Sequence, residues 1–276
     1  GYVAEYVLKG VPIVWSPLYF DDSKLDKSYY IDNIAESAIQ KEDSPMFNKV
    51  RTVNSENEVV VHSTPDIWPR LMREHKLSDY KTRVGYCTWE TDILPNAWVP
   101  NINQMDEVRV PSVFNKESFI NSGVTIPISV VPHVWFDQTL INKNDIKLTD
   151  CFGNRIPLNK YTFYSIGELN ERKGILDLIK VFDRLYDSNP KCQLLLKLHY
   201  QQYSPSNFKY CIDTLKSVTK NIGKSIYVII KNINNSELLC IHSFGDCYVS
   251  LTRGEGFGLT IFEAFKYGKP VITTGY

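Results

Sequence analysis

Residues 253–276 read RGEGFGLTIFEAFKYGKPVITTGY. Glu255 comes directly before a Gly-Phe-Gly turn, and the apolar spacing that follows predicts a helix over 258–267. Gly268 and Pro270 supply the expected stop, because glycine commonly ends helices in the left-handed conformation and proline cannot continue them. A short β-branched run then predicts a strand. This order of loop, helix and strand is typical of a parallel α/β sheet.

Two carboxylates of this stretch are candidate ligand-binding groups. Glu255 lies just outside the predicted helix, and Glu263 lies about one and a half turns inside it. Gly256 and Gly258 let a ligand approach the backbone without meeting a Cβ, and the free N–H groups of a helix start favour an anion or a hydroxyl-rich ligand. Two carboxylates can then hold two sets of hydroxyls by charge-assisted hydrogen bonds. The alternative is an ordinary loop–helix corner with solvated carboxylates, and the Gly-Phe-Gly turn favours the ligand site.

The rest of the chain alternates strand-like and helix-like runs, which predicts repeated βαβ units. Strands are expected at 11–15, 58–62, 82–87, 107–110, 126–131, 162–166, 193–198, 226–230, 246–250 and 270–273. Helices are expected at 31–40, 65–75, 116–122, 174–186, 206–218, 236–242 and 259–267.

The alternation breaks between about 136 and 160, which is too long for an ordinary loop in a compact domain. We therefore expect two α/β domains, over 1–137 and 160–276, joined by a linker at 138–159. The chain does not begin with Met and stops directly after a predicted strand. On that ground we expect a fragment that lacks the first strand of one domain and the end of the other.

Composition excludes several classes of protein. Among 276 residues, 31 Lys and Arg balance 31 Asp and Glu, so the general basic excess of a nucleic-acid binder is missing. The sequence contains no apolar run near the roughly 20 residues of a membrane helix, and its first residues do not read as a signal peptide. The six cysteines form no C-x-x-C pair, which predicts free thiols in a reducing compartment and hence a cytoplasmic protein.

Three stretches resemble one known family. EGFGLTIFEAFKYGKPVITT at 255–274 is similar to the signature of glycosyltransferase family 4. YTFYSIGELNERKGILDLIK at 161–180 resembles the opening of that family's nucleotide-sugar domain, and 103–134 resembles the end of its N-terminal domain. The resemblance implies the GT-B fold, in which two Rossmann-like domains with parallel sheets face each other across a cleft. It places the acceptor on the N-terminal domain and the nucleotide sugar on the C-terminal one.

The resemblance also implies roles for individual residues. Glu255 would contact the donor hexose, and Lys173 would bind the diphosphate. Glu168 occupies the place of the family's usual Arg, so Arg172 would take over that charge. His62, at the end of a predicted strand, would face the donor sugar, with an interior histidine as the alternative. The remaining donor contacts would come from Gly256, Phe257, Gly258, Leu259, Glu263, Gly167 and Lys231.

The activity that follows from the resemblance is retaining transfer of a hexosyl unit from a nucleoside-diphosphate sugar, UDP- or GDP-linked, to an acceptor hydroxyl. No cofactor and no metal ion are expected. The acceptor stays open between a glycan, a lipid-linked glycan and a protein, and peripheral membrane contact stays open as well. One alternative is a non-catalytic nucleotide-sugar or glycan-binding module on the same fold, which Glu168 favours. Another is a related α/β enzyme such as a sugar-nucleotide epimerase or a glycan phosphorylase.

Overall fold

The computed structural model describes residues 58–74, 76–133, 139–199 and 205–275. The strand and helix expected at 11–15 and 31–40 lie outside the described residues. The chain divides into two compact units, 1–137 and 138–276.

The first unit contains a parallel sheet whose strands are ordered β1-β2-β3-β4, in chain order. The strands are β1 (Glu58–His62), β2 (Thr82–Tyr86), β3 (Glu107–Val110) and β4 (Ile128–Val130). The helices are α1 (Trp68–Glu74), α2 (Trp98–Ile102) and α3 (Val113–Asn121). A 3-10 turn, Leu77–Asp79, precedes β2. Strands β1 and β3 have the predicted bounds, whereas the short helix α2 was not predicted.

The core of the first unit is built around Trp68. Its ring is fully buried, and its indole N–H donates a hydrogen bond to Ser63 Oγ at 2.8 Å. This bond satisfies the one polar group that a buried indole carries. Further apolar side chains from the strands and helices complete the cluster, among them Val61, Leu71, Ile102, Val108 and Phe119.

The second unit contains a parallel sheet with the strand order β7-β6-β5-β8-β9. Its strands are β5 (Tyr161–Glu168), β6 (Cys192–His199), β7 (Ile226–Ile230), β8 (Cys247–Ser250) and β9 (Val271–Thr273). Its helices are α4 (Ile175–Ser188), α5 (Pro205–Val218), α6 (Asn235–Phe244) and α7 (Leu259–Lys266). The strand order turns round at β5 and β8, as in a Rossmann fold.

Burial in this unit follows from helices that cover both faces of the sheet. The first seven residues of β6, CQLLLKL, are all buried, which is the pattern of a central strand of a parallel sheet. Helix α4 buries Ile175, Leu178, Ile179 and Phe182, and this spacing of three and four residues forms one apolar stripe. The fold prediction of two parallel α/β sheets is thereby confirmed.

The segment that we interpreted as a linker, 138–159, lies in the second unit. Ile146 and Ile156 are buried in that unit's core. Lys143 Nζ lies 2.6 Å from Asp246 Oδ2 and so ties the segment to the start of β8. Isolated apolar residues in an irregular segment can fill a core without a repeating pattern, so weak periodicity carries no signal of this packing.

Candidate functional site

The candidate site lies at the carboxyl ends of β5 and β8. These strands are neighbours in the sheet, and Tyr164 is in register with Tyr248. The chain leaves them in opposite directions across the sheet, because β6 follows on one side and β9 on the other. Such a switch point opens a crevice where ligands of open α/β sheets bind. The loops at 169–174 and 251–258 both begin there, and each ends at the start of a helix.

Backbone contacts hold the two loops together. The Arg253 N–H donates to the Arg172 carbonyl at 2.7 Å, and the Arg172 guanidinium donates to the Gly254 carbonyl at 2.9 Å. Gly174 allows this approach, because its φ is +64° and an added Cβ would lie 2.2 Å from the Leu251 carbonyl oxygen. Glycine is therefore required sterically at the position that follows Lys173.

The loops bring Arg172, Lys173 and Glu255 into one cluster. Lys173 Nζ donates to Glu255 Oε1, and Arg172 Nη1 lies 3.6 Å from Glu255 Oε2. The Thr252 hydroxyl lies 3.2 Å from Glu255 Oε1 and adds a third polar neighbour. The side chains of Glu255 and Lys173 are 14% and 19% exposed, so the pair is largely shielded yet reachable by a ligand. Two cations and one carboxylate leave a net positive charge at the cluster.

Helix α7 begins directly beside this cluster. Its N-cap is Gly258, with φ +73°, which only glycine adopts readily. Gly256 and Gly258 are buried, whereas Leu259 is exposed. The Phe257 ring lies 5.2 Å from that of Phe262, one turn into the helix. The first N–H groups of α7 have no partner one turn earlier in the helix and therefore favour an anion or a hydroxyl oxygen.

Glu263 lies on α7 at the predicted place, but it is not a surface carboxylate. Its side chain is 12% exposed, and Oε2 is buried 3.5 Å from His242 Nε2. His242 belongs to α6 and is fully buried. His242 was not predicted from the sequence, because one histidine in a helix has no signal that distinguishes a core position from a site.

Three other candidates have local partners. Gly167 lies beneath Lys173, since an added Cβ would be 3.6 Å from that lysine's side chain. Glu168 ends β5, and its carboxylate accepts a hydrogen bond from Asn170 Nδ2 at 3.0 Å. Lys231 follows β7, and its Nζ lies 2.5 Å from Glu237 Oε1. That lysine lowers the pKa of Glu237, which also forms a capping box with Asn234 at the start of α6.

His62 lies in the first unit, at the carboxyl end of β1. Its ring stacks on Tyr86 at 4.7 Å, and the Tyr86 hydroxyl is 3.3 Å from His133 Nδ1. Desolvation lowers the pKa of His62, and the neighbouring His133 lowers it further. Desolvation also lowers the pKa of His133. Both imidazoles are therefore neutral at pH 7.

Residues 147–276 match the family model described as glycosyl transferases group 1. This segment, somewhat under half of the chain, is thus similar to group 1 glycosyltransferase domains. It begins within the presumed linker and covers all the described candidate residues except His62.

Curated relatives of the chain include trehalose synthases. The enzyme of Pyrococcus horikoshii is 24% identical over 164 residues, which are 59% of this chain and 39% of the relative. That of Thermococcus litoralis is 27% identical over 166 residues, which are 58% of this chain and 40% of the relative. The matched region thus spans about 40% of the length of these relatives.

Solved glycosyltransferase structures share the fold. TarM superposes with a TM-score of 0.57 at 14% identity, over 78% of this chain and 40% of TarM. The pneumococcal O-GlcNAc transferase GtfA, in complex with UDP and GlcNAc, gives 0.56 at 16% identity, over 83% and 44%. The apo structure of OtsA gives 0.57 at 11% identity, over 89% and 69%. The two parallel-sheet units therefore have the α/β architecture of GT-B glycosyltransferases.

A buried lysine of the second unit was also not predicted from the sequence. Lys197 is buried on β6, between β7 and β5, and its ammonium donates to the Leu198 carbonyl at 3.0 Å. Burial lowers its pKa to about 8. The surrounding sequence, LLLKLH, is typical of a core strand. Nothing in this pattern indicates that the lysine itself is buried.

The described residues contain neither a cluster of metal-ligating side chains nor a membrane-spanning helix. Within 58–74, 76–133, 139–199 and 205–275, no group of three or more His, Cys, Asp or Glu side chains could hold a metal ion. Across the same ranges, no helix is both long and apolar enough to cross a membrane.

Proposed function

We propose that the protein is a retaining glycosyltransferase of family 4, which transfers a hexosyl unit from a nucleoside-diphosphate sugar to an acceptor hydroxyl without a metal ion. The observation that carries this proposal is the cluster of Arg172, Lys173 and Glu255 at the switch point of the second sheet. Two cations beside an exposed helix start suit a diphosphate, and an adjacent carboxylate suits sugar hydroxyls.

In this mechanism the two cations bind the diphosphate. Arg172 and Lys173 are held in place by the loop contacts before any ligand binds. As the bond between the anomeric carbon and the diphosphate oxygen breaks, negative charge develops on the leaving group. Preorganised cations stabilise that charge because they need little reorganisation during the reaction. This is how the cluster would dispense with a divalent ion.

The two carboxylates bind the hexose and the ribose. A carboxylate accepts several hydrogen bonds, so Glu255 can accept from the hexose hydroxyls while it still holds Lys173. Backbone N–H groups at 256–259 bind the same sugar. Glu263 accepts from the ribose hydroxyls, and Gly167 leaves room for the diphosphate beneath Lys173. Lys231, at the end of β7, lies on the side of the nucleobase.

The retaining outcome requires the acceptor to attack the face that the diphosphate leaves. The acceptor oxygen bonds to the anomeric carbon while the bond to the diphosphate breaks, and the acceptor proton passes to a leaving phosphate oxygen. His62, neutral at the end of β1, would contact the donor sugar by a hydrogen bond rather than by charge.

The relatives support a nucleotide sugar as donor. The structure of the O-GlcNAc transferase GtfA contains UDP and GlcNAc, and the curated relatives are named trehalose synthases. We therefore propose a UDP- or GDP-linked hexose and an acceptor that is a glycan, a lipid-linked glycan or a protein. We also propose a cytoplasmic location, which the six free cysteines support.

A non-catalytic nucleotide-sugar-binding module is the second candidate, and Glu168 favours it. This carboxylate stands where the resembling family carries a cation, and its charge opposes a diphosphate bound at the end of β5. Binding without turnover would distinguish this candidate from the transferase.

The deciding experiment measures nucleoside-diphosphate release from a panel of UDP-, GDP- and ADP-sugars. Release from one donor should fall by about 100-fold or more in Lys173→Ala and in Glu255→Ala, since each removes a group that stabilises the transition state. The matched control is Lys180→Ala, which removes an exposed lysine on α4 and should keep the rate.

Two other outcomes would contradict the transferase proposal. Nucleotide stabilisation of the fold without release, in the presence of candidate acceptors, would favour the binding module. No stabilisation by any nucleotide would refute the donor site itself.

A further inference from the structure

A buried line of polar groups runs from β5 through α6 to α7. The Tyr164 hydroxyl lies 2.9 Å from His242 Nδ1, and His242 Nε2 lies 3.5 Å from Glu263 Oε2. Tyr164 and His242 are both fully buried. Nε2 of the histidine and Oε2 of the glutamate are buried as well, and within the described residues neither atom makes a hydrogen bond. They face each other.

Chemistry fixes the direction of the protons along this line. Burial raises the pKa of Tyr164 well above its usual range, so its hydroxyl keeps its proton. If that hydroxyl donates to His242 Nδ1, a neutral imidazole carries its own proton on Nε2 and points it at the Glu263 carboxylate. The opposite direction would leave the tyrosine proton buried without an acceptor and turn a nitrogen lone pair towards the carboxylate. Both defects are costly in a buried site.

A second tyrosine fixes the same helix nearby. The Tyr248 hydroxyl lies 2.8 Å from Thr260 Oγ1 and 3.2 Å from the Ile166 carbonyl. Tyr164 and Tyr248 are register partners on adjacent strands, and their rings meet edge to face at 5.1 Å. Thr260 and Glu263 are three residues apart and therefore lie on one face of α7. The sheet thus sets both the position and the rotation of the helix.

We infer that His242 is a positioning residue, held by Tyr164, that fixes one oxygen of Glu263 so that the carboxylate meets the two ribose hydroxyls of the bound nucleotide in a single orientation. This inference rests on the proposed function, since it takes Glu263 as the ribose contact. The burial of Oε2 and the residual 12% exposure of the side chain match a carboxylate that is anchored on one side and open on the other. A freely rotating glutamate would have to be ordered by the ligand at an entropic cost.

Two substitutions of His242 distinguish its contact with Tyr164 from its contact with Glu263. His242→Gln places an amide N–H near the position of Nε2 and keeps a donor for Glu263. His242→Asn keeps a polar group near Nδ1 and Tyr164 but removes that donor. If His242 had only a structural role, the two substitutions would change nucleotide binding to a similar extent. A difference between the two variants therefore reports on the contact with Glu263.

The measurement is the dissociation constant for UDP and for 2′-deoxy-UDP by calorimetry, on the full-length protein, with GDP and ADP pairs run beside them. Wild type should prefer the ribonucleotide. His242→Asn should bind the ribonucleotide about tenfold more weakly, which is the typical effect of losing a hydrogen bond to a charged group. It should also lose the preference for the ribonucleotide over the 2′-deoxy nucleotide. His242→Gln should retain both the affinity and the preference.

Nitrogen-15 NMR of the histidine rings supplies a readout that needs no ligand. At a pH where the imidazole is uncharged, wild-type His242 should carry its proton on Nε2, and Tyr164→Phe should mix the two tautomers. An Nδ1–H tautomer in wild type overturns the inference, and so does an unchanged ribose preference in His242→Asn. Failure of wild type to bind any of these nucleotides would instead count against the proposed function, and the tautomer would still test the buried line. If His242→Asn does not fold, the ribose preference of Tyr164→Phe decides.

Discussion

Both sheets are parallel, but their carboxyl edges differ in charge. In the first unit that edge carries His62, Tyr86 and His133, which are aromatic and uncharged at pH 7. In the second unit it carries Lys173 and Glu255, which are charged and paired. The parallel sheet therefore determines where side chains collect, whereas the residues at the strand ends determine which ligand chemistry they suit.

The two edges also differ in how they are built. The charged edge depends on two loops that approach within backbone contact, so its geometry is rigid and sensitive to added atoms. The uncharged edge is assembled from side chains that stack on one another. Three changes test this contrast.

The largest expected effect comes from Gly174→Ala. The added Cβ would lie 2.2 Å from the Leu251 carbonyl oxygen at a φ of +64°, so the two loops must separate. We expect a loss of about 3 kcal/mol in the free energy of unfolding, together with loss of nucleotide binding. Chemical denaturation measures the first and calorimetry the second.

The control for that change is Gly268→Ala. Its φ of +69° is similar, but nothing lies within 4 Å of the added Cβ. It should cost only about 1 kcal/mol, the backbone penalty alone. Equal losses in the two variants would show that close approach of the loops is unimportant.

A smaller effect is expected from Glu168→Arg, which restores a cation at the end of β5. Nucleoside-diphosphate affinity should rise by a few fold, because a partly exposed charge is screened by water. Asp213→Arg, an equal charge reversal on the exposed surface of α5, should leave the affinity unchanged. If both variants bind equally well, net charge rather than local geometry governs the edge.

The smallest expected effect is a pH slope from the uncharged edge. The pKa values of His62 and His133 are lowered in the folded state, so the unfolded chain binds more protons just below its histidine pKa of about 6.5. Stability should therefore be full above that pH and decline as the pH falls from about 6.5 towards the folded values. Denaturation curves at several pH values measure this decline, and the double variant His62→Gln with His133→Gln should flatten it. An unchanged slope in that variant would assign the decline to other groups.

Much of the charged edge was accessible from sequence. The pattern predicted the loop and helix around Glu255 and the loop that carries Lys173, because glycines and apolar spacing are local signals. Their contact could not be predicted from these signals, since 82 residues separate them and only the neighbouring positions of β5 and β8 bring them together. The roles of both residues in catalysis remain predictions.

Residues that act through burial escaped the sequence analysis. Lys197 lies in an apolar strand and His242 in a helix without a motif, so neither stands out from its neighbours. The segment 138–159 was read as a connection because it lacks periodicity, yet Ile146 and Ile156 fill the core. In each case burial depends on which residues are neighbours in space, and these residues are distant in sequence.

The sequence by itself determined the alternation of strands and helices, the two-sheet class and the stretch that contains Glu255, since these depend on side-chain periodicity and backbone preferences of nearby residues. Only the tertiary structure decided the strand order, the pairing of Lys173 with Glu255 and the line from Tyr164 through His242 to Glu263. The physical reason is that hydrogen bonds and ion pairs act over a few ångströms in space. The residues that make them here are distant along the chain.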